Sequence, residues 1–289
     1  YVNGNWYDGA DGNRNPVAIL QGFKDNDTYN KLLANVSLSY KLTDNLTYKA
    51  IFGMENSNTE RFTFADPRLS DQGFKGNINI RGKEFQNTQI NTHGRAVKQI
   101  ADQASTVIEH TLNYDKTFKN GNSLQALAAF SYQKTTDYYR ASQRWGNAGA
   151  TKMLTDYKQY TGGVTDVYGD STQVELQSYF SRLNYTMKDK YILSALVRID
   201  GSSKFSSGSK YGTFPAFGFK WRMLEEKFAQ NTLGKIFSNF DMRVNYGVTG
   251  NQEFPAYASL ALQQVNFNGT NNVITNSNPN LRWEQTTTQ

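Results

Sequence analysis

The chain has 289 residues and no cysteine, so it has neither a disulfide framework nor a thiolate metal site, and its formal charge of +6 is scattered rather than gathered into a run. Scattered charge argues against a nucleic-acid partner. Tyrosine and phenylalanine number 18 each although mean hydropathy is −0.67. That combination disfavours a soluble α/β enzyme and suits a β protein with a thin apolar band and polar loops. No run approaches the roughly 18 apolar residues of a membrane-spanning helix, so any crossing of a membrane must be made by strands. Tyr1 opens no basic segment with an apolar stretch behind it, and with the polar end at residues 286–289 the chain reads as a piece of a longer one.

Residues 1–30 are rich in Asn, Gly and Asp and predict loop. Side chains alternate across a pleat, so Leu32, Ala34, Val36, Leu38, Tyr40 and Leu42 share one face of a first strand, with Asn35, Ser37, Ser39 and Lys41 opposite. A turn at Thr43-Asp44-Asn45 leads to a second strand with Leu46, Tyr48, Ala50, Phe52 and Met54 on its apolar face. From residue 56 to about 105 the period is lost, which predicts a long loop. Ile108, Leu112 and Tyr114 mark the third strand, and His110 is the one polar member of their set. An Asn120-Gly121 turn is a strong hairpin signal, and Leu124, Ala126, Ala128, Phe130 and Tyr132 complete the fourth strand. Residues 134–173 are again irregular.

Tyr179, Leu183 and Tyr185 define the fifth strand and Met187–Lys190 a polar turn. Tyr191, Leu193, Ala195, Val197 and Ile199 line one face of the sixth, against Ser194, Arg198 and Asp200. A short loop over 201–210 precedes the seventh strand, where Phe217, Phe219 and Trp221 alternate with Ala216, Gly218 and Lys220. Residues 222–241 depart from the tight-turn pattern, and Leu224–Phe228 predicts a helical turn. Met242, Val244, Tyr246 and Val248 give the eighth strand. A polar loop then runs to Asn280, and Leu281-Arg282-Trp283 reads as the start of a ninth strand.

Long connections alternate with compact ones along this series. In an antiparallel meander that sorting puts long loops at one end of the strands and short turns at the other, which Greek-key sandwiches do not do. The predicted fold is therefore all-β: an antiparallel transmembrane β-barrel segment of eight to nine strands.

Catalytic signatures are missing. Only His93 and His110 are available, without HExxH spacing, and neither GxSxG nor GxxxxGK[ST] occurs. No catalytic residue, metal ligand or cofactor is assigned, and the chain is read as no enzyme. Asp25-Asn26-Asp27 opens like a calcium loop, but Asn30 and Val36 stand where that loop needs Gly and Glu. Glu225 and Glu226 are adjacent and do not face each other on a helix. The loops carry many aromatics, among them Phe62, Phe64, Tyr157 and Tyr160. Trp6, Tyr7, Tyr138, Tyr139 and Trp145 are the candidate substrate contacts, because flat rings beside Asn, Asp and Arg can stack on sugars or grip peptides. The competing reading is that these rings pack the loops together.

Several motifs together resemble the barrel of SusC/RagA-type TonB-dependent outer-membrane transporters of the Bacteroidetes kind. They are Asn15–Ala18 (NPVA), Tyr185–Lys190 (YTMKDK), Arg198–Phe205 (RIDGSSKF), Tyr211–Pro215 (YGTFP), Tyr246–Asn251 (YGVTGN) and Asn278–Glu284 (NPNLRWE). The resemblance implies that residues 1–289 are part of a barrel of about 22 strands, with the plug domain, the TonB box and the end of the barrel outside this chain. It also implies an outer-membrane location in a Gram-negative cell, and import of a large nutrient, a glycan or an oligopeptide, under a SusD-like surface lipoprotein lid. TonB would act through parts absent here. Asp200, Gly201, Gly250 and Asn251 would then be structural, with Gly serving tight turns and Asn and Asp bonding their own backbone. Two other function classes compete: a soluble or surface-attached β-rich adhesin or glycan-binding module, and a β-rich hydrolase.

Overall fold

A computed structural model of the chain describes residues 16–70, 78–80, 83–85, 94–146, 157–265 and 271–289. After the helix α1 (Pro16–Gly22) come β1 (Phe23–Thr43), β2 (Leu46–Ala65), β3 (Ile78–Ile80), β4 (Lys83–Phe85), β5 (Arg95–Thr117), β6 (Ser123–Trp145) and β7 (Gly163–Met187). The series continues with β8 (Tyr191–Ser202), β9 (Tyr211–Arg222), β10 (Asp241–Asn251), β11 (Leu262–Val265), β12 (Asn271–Thr275) and β13 (Glu284–Thr288). Nine strands form one open sheet in the order β1-β2-β5-β6-β7-β8-β9-β10-β13, while β3-β4 and β11-β12 are separate hairpins. Nearest neighbours in sequence are neighbours in space, the arrangement of an antiparallel meander.

The all-β expectation and the nine strands are therefore observed, but five strands are far longer than their alternation predicts. β1 begins at Phe23, inside residues 1–30 read as a loop. β2 runs on to Ala65 and β5 begins at Arg95, inside the stretch read as a loop. Likewise β6 reaches Trp145 and β7 starts at Gly163, where residues 134–173 read as irregular. Alternation reports one-sided burial, and these extensions lack it. Thr63, Phe64 and Ala65 are consecutive and all buried, so both faces of the strand are covered. Their neighbours pair through charge and amide groups instead: Lys98 with Glu60 (3.1 Å), Arg140 with Asp102 (2.7 Å), and Gln103 with Asp137 (2.8 Å).

The first segment also differs from expectation. Part of the predicted loop is α1, begun by Pro16 in the position where a missing N–H costs nothing. Its Ala18, in the NPVA motif, packs fully buried against Ala65, Leu69 and Trp145. At the other end, Leu281-Arg282-Trp283 precedes the last strand rather than opening it, because β13 starts at Glu284.

The chain divides into two compact units. One holds residues 1–32, 55–104 and 136–172; the other holds 33–54, 105–135 and 173–289. In the first, three small clusters supply the core: Ala18, Ala65, Leu69 and Trp145; Val97, Tyr139 and Ala141; and Phe64, Ala96 and Tyr160.

In the second unit register makes the faces explicit. Tyr185, Leu193 and Phe219 are successive partners across β7, β8 and β9, and Phe219 pairs onward with Val244 of β10. One row along, Leu183, Ala195, Phe217 and Tyr246 are matched in the same way. Cross-strand partners share a face, so these rows build a continuous apolar surface. Leu193 is 47% exposed and Phe217 57%, so among the described residues no second sheet covers them. The opposite face carries Arg182, Asn184, Ser194, Arg198, Lys220, Arg243 and Asn245.

His110, out of place in an apolar set, sits within a row of rings. Tyr48 stacks on it at 6.0 Å, Phe130 lies at 6.3 Å on its other side, and Tyr179 follows Phe130 at 5.4 Å. A flat ring that also hydrogen-bonds the Tyr48 hydroxyl through Nδ1 (2.7 Å) fits the row.

Short turns join β1 to β2, β5 to β6 and β7 to β8. Asn122, buried at the second of these, ties it to the third: its Nδ2 donates to the Tyr185 hydroxyl (2.8 Å) and its Oδ1 accepts from the Lys188 backbone N–H (3.0 Å). Lys188 and Asp189 adopt left-handed φ of 51° and 55°, a conformation that needs such support in residues other than Gly. Asn122→Ala is expected to cost about 1–3 kcal/mol, read as a lower melting temperature of the folded protein. A change within experimental error would show that the turns are set independently. The predicted alternation of lengths fails at one place: the β9–β10 connection, residues 223–240, falls at the short-turn end and is longer than the β8–β9 loop opposite.

Candidate functional site

Two features of the second unit carry the functional argument: the polar face of β7–β10 and an aromatic clasp. Along the polar face Arg198, Lys220 and Arg243 are paired within the wall. Asp241 receives Lys220 (2.7 Å) and Arg243 (3.4 Å), and Arg198 Nε donates to both oxygens of Asp200 (2.8 and 2.7 Å). A groove of about 860 Å³ runs along this face, lined by Arg182, Asn184, Ser194, Arg243 and Asn245 among others. Polar and charged residues on one side and Leu, Phe and Val on the other give this sheet the two-faced character that a wall between an aqueous and an apolar medium requires.

The clasp draws together four motifs spread over residues 198–284. Phe205, from RIDGSSKF, is 2% exposed and meets Phe254 edge-on (5.0 Å) and Trp283 of NPNLRWE (5.0 Å). Phe214, from YGTFP, is 5% exposed and meets Trp283 edge-on at 5.4 Å. Trp283 Nε1 donates to the Lys210 carbonyl (3.0 Å), and Lys204 Nζ donates to the carbonyls of Phe254 (2.8 Å) and Gln252 (3.3 Å). The half-buried indole and ammonium therefore have their polar atoms satisfied.

Glycines make room for these rings. A Cβ on Gly250, in YGVTGN, would fall 2.1 Å from Phe214 Cζ; on Gly212, 2.6 Å from the same atom; on Gly201, 2.4 Å from Tyr211 Cε1. The expectation that Gly201 and Gly250 serve tight turns is thus corrected: they lie within β8 and β10 and are required by close approach of a ring. Asp200 is corrected too, since its carboxylate is held by the Arg198 guanidinium. Asn251 does bond nearby backbone, its Oδ1 accepting from the Glu253 N–H (2.9 Å), and its Nδ2 reaches Glu284 (3.1 Å) across the β10–β13 pair. Sequence reading found the motifs without the reason for them, because ring-to-glycine packing between distant segments leaves no local period.

Of the predicted substrate contacts, Trp6 and Tyr7 lie outside the described residues. Tyr139 and Trp145 are both buried in the first unit, against Val97 and Ala141 in one case and Ala18, Ala65 and Leu69 in the other. Tyr138 is different. It is 51% exposed and borders a groove of about 440 Å³ with Asn30, Asn56, Asn58, Asp102 and Gln103. Asn58 donates to Asp102 at 2.6 Å, so these polar groups are already ordered. Phe62, Phe64, Tyr157 and Tyr160 pack on one another, with centroids 5.9–6.3 Å apart. His93 is outside the described residues. Asp25, of the supposed calcium loop, accepts instead from Arg61 Nε (2.7 Å), and Asp27 lies 3.6 Å from the same guanidinium. Among the described residues no cluster of His, Asp and Glu has metal-binding geometry.

Known proteins place this partition in a family. The family model described as TonB dependent receptor-like, beta-barrel matches residues 1–289. TonB-dependent receptor P3 of Formosa agariphila is 30% identical over 287 residues, covering 93% of this chain and 26% of the relative. TonB-dependent receptor SusC of Bacteroides thetaiotaomicron is 26% identical over 292 residues, covering 95% and 26% respectively. The RagAB peptide transporter shares the fold, with a TM-score of 0.76 at 21% identity over 92% of this chain and 28% of that one. The chain thus spans about a quarter of the length of the curated relatives it matches. Its two-faced antiparallel sheet, its motifs and these matches agree: the chain belongs to the TonB-dependent receptor β-barrel family.

Proposed function

We propose that this chain supplies part of the wall of a TonB-dependent transporter in the outer membrane of a Gram-negative cell, importing a large nutrient such as a glycan or an oligopeptide. The observation that supports the reading is the sorting of faces over β7–β10, with Leu193, Ala195 and Phe217 on one face and Ser194, Arg198 and Asn245 on the other; in this reading the first meets lipid and the second the aqueous lumen. The RagAB neighbour, a peptide transporter by description, supports an oligopeptide, and SusC is a second relative from the same family. A SusD-like surface lipoprotein would close over the long-loop end, and TonB would pull on parts of the protein that lie beyond this sheet. Among the candidate aromatics Tyr138, which stands in β6 rather than in a loop, is the substrate contact this reading favours, since its ring is open and flanked by Asn and Asp. No covalent chemistry enters the mechanism. The wall orients cargo by hydrogen bonds from its polar face and excludes lipid by its apolar one.

Single cysteines test the reading directly, because the chain has none of its own. In outer membranes bearing the full-length protein, cysteines at Leu193, Ala195 and Val197 should resist a water-soluble maleimide, while one at Ser194 is labelled. Protection of all four positions in a protein that stays soluble without detergent would replace the transporter with a soluble β-rich module.

A further inference from the structure

The β9–β10 connection is a folded object rather than a reversal. Met223 N–H donates to the Phe240 carbonyl at 3.0 Å and closes its base. Within it stand two 3-10 turns, Met223–Glu225 and Leu233–Lys235, and one helical turn, Lys227–Gln230. Four large apolar side chains between these points face outward: Phe228 is 59% exposed, Ile236 77%, Phe237 45% and Phe240 38%. So much apolar surface in one connection marks an interaction surface.

The direction in which the connection folds identifies what it touches. Glu226 accepts from the Tyr191 hydroxyl (2.6 Å) and pairs with Lys190 (2.8 Å), and the Phe228 ring lies 6.4 Å from Trp221. Tyr191, Trp221 and Met242 are register partners on the apolar face. Tyr191 also stacks on Trp221 (6.4 Å) and Phe219 (6.5 Å). The connection is therefore held beside the apolar face and away from the polar one, where Lys220 and Asp241 pair. Its Phe228 ring continues the aromatic row of that face, Phe237 and Phe240 pack on each other at 5.7 Å, and Lys190 holds the Glu226 carboxyl below its usual range, so the tether is ionised at neutral pH. Lys227 and Lys235, both exposed, put charge beside the same apolar side chains. Aromatic and aliphatic bulk with charged neighbours suits the boundary between lipid headgroups and acyl chains.

We propose that residues 226–240 form an interfacial anchor, seated on phospholipid at the short-turn end of the strands, continuous with the lipid-facing surface of the sheet. The proposal rests on the transporter reading, since it requires the apolar face to meet lipid. Continuity selects the occupant: Phe228 and Trp221 are neighbours, so whatever medium bathes the one bathes the other.

The test uses the full-length protein, in a cysteine-free background, reconstituted in phosphatidylethanolamine–phosphatidylglycerol nanodiscs. Nitroxides are placed singly at Ile236 and Phe228, with Leu193 as the lipid reference and Asp44, exposed in the β1–β2 turn, as the water reference. Collision with oxygen should exceed collision with a nickel chelate several-fold at Ile236 and Phe228, as at Leu193, with the order reversed at Asp44. If Ile236 and Phe228 match Asp44 while Leu193 remains lipid-like, the anchor is overturned and the barrel stands. If both reagents are excluded from Ile236 and Phe228, protein covers the patch and the anchor is again overturned. A water-exposed Leu193 overturns the anchor together with the transporter reading.

Discussion

Replacing Gly250 with valine is expected to leave little or no folded barrel in the membrane. The first added carbon would fall 2.1 Å from Phe214 Cζ and 2.3 Å from Cε1. Phe214 has no room to retreat, being 5% exposed, packed on Trp283 and bordered by Gly212, itself too close to the ring to carry a Cβ. Overpacking of this kind costs about 1–3 kcal/mol, and more where neighbours cannot yield. Here the cost falls on a junction of β8, β9, β10 and the segment before β13. Gly250 does not adopt a left-handed φ, so the constraint is space alone. That makes a rescue possible: Gly250→Ala combined with Phe214→Leu should recover folding lost in Gly250→Ala. Heat-modifiable migration on a denaturing gel, which separates folded from unfolded barrels, reads both results. Normal folding of Gly250→Val would mean that the clasp is dispensable.

A lysine at Ala195 is expected to cost about 2–4 kcal/mol, and one at Ser194 less than about 1 kcal/mol. The two positions are adjacent in β8, so propensity and strand position are nearly matched. What differs is the face. Ala195 pairs with Leu183 and Phe217 in the apolar row, whereas Ser194 pairs with Asn184 and Gly218 on the opposite face. Titration with urea in the presence of phospholipid vesicles measures the difference between the variants. Equal costs would show that neither face meets lipid.

Much of the architecture was legible in the chain. Every hairpin turn between short-separated strands was readable from its own residues, because Asn-Gly and Thr-Asp-Asn chemistry acts over a few positions. β9 was readable to its ends, since Phe217, Phe219 and Trp221 alternate with Ala216, Gly218 and Lys220 and its face is one-sided along the strand. The long arms of β2, β5, β6 and β7 were not. Phe64 and Thr63 are buried on opposite faces, and Asp102 and Arg140 satisfy each other across strands. An extended chain with both faces occupied has no period of two to detect.

The candidate contacts divide along the same line. Aromatic content marked Tyr138, Tyr139 and Trp145 alike, yet neighbours in sequence point to opposite sides of a strand. Only the structure could separate an exposed Tyr138 from a buried Tyr139. Composition and periodicity alone determined that this is an antiparallel sheet with one apolar face, because those follow from the alternation of side chains. Tertiary structure decided the rest: that Gly201, Gly212 and Gly250 answer to rings arriving from other segments, and that residues 226–240 fold toward the apolar face. Both depend on contacts between residues distant in the chain, which local sequence does not encode.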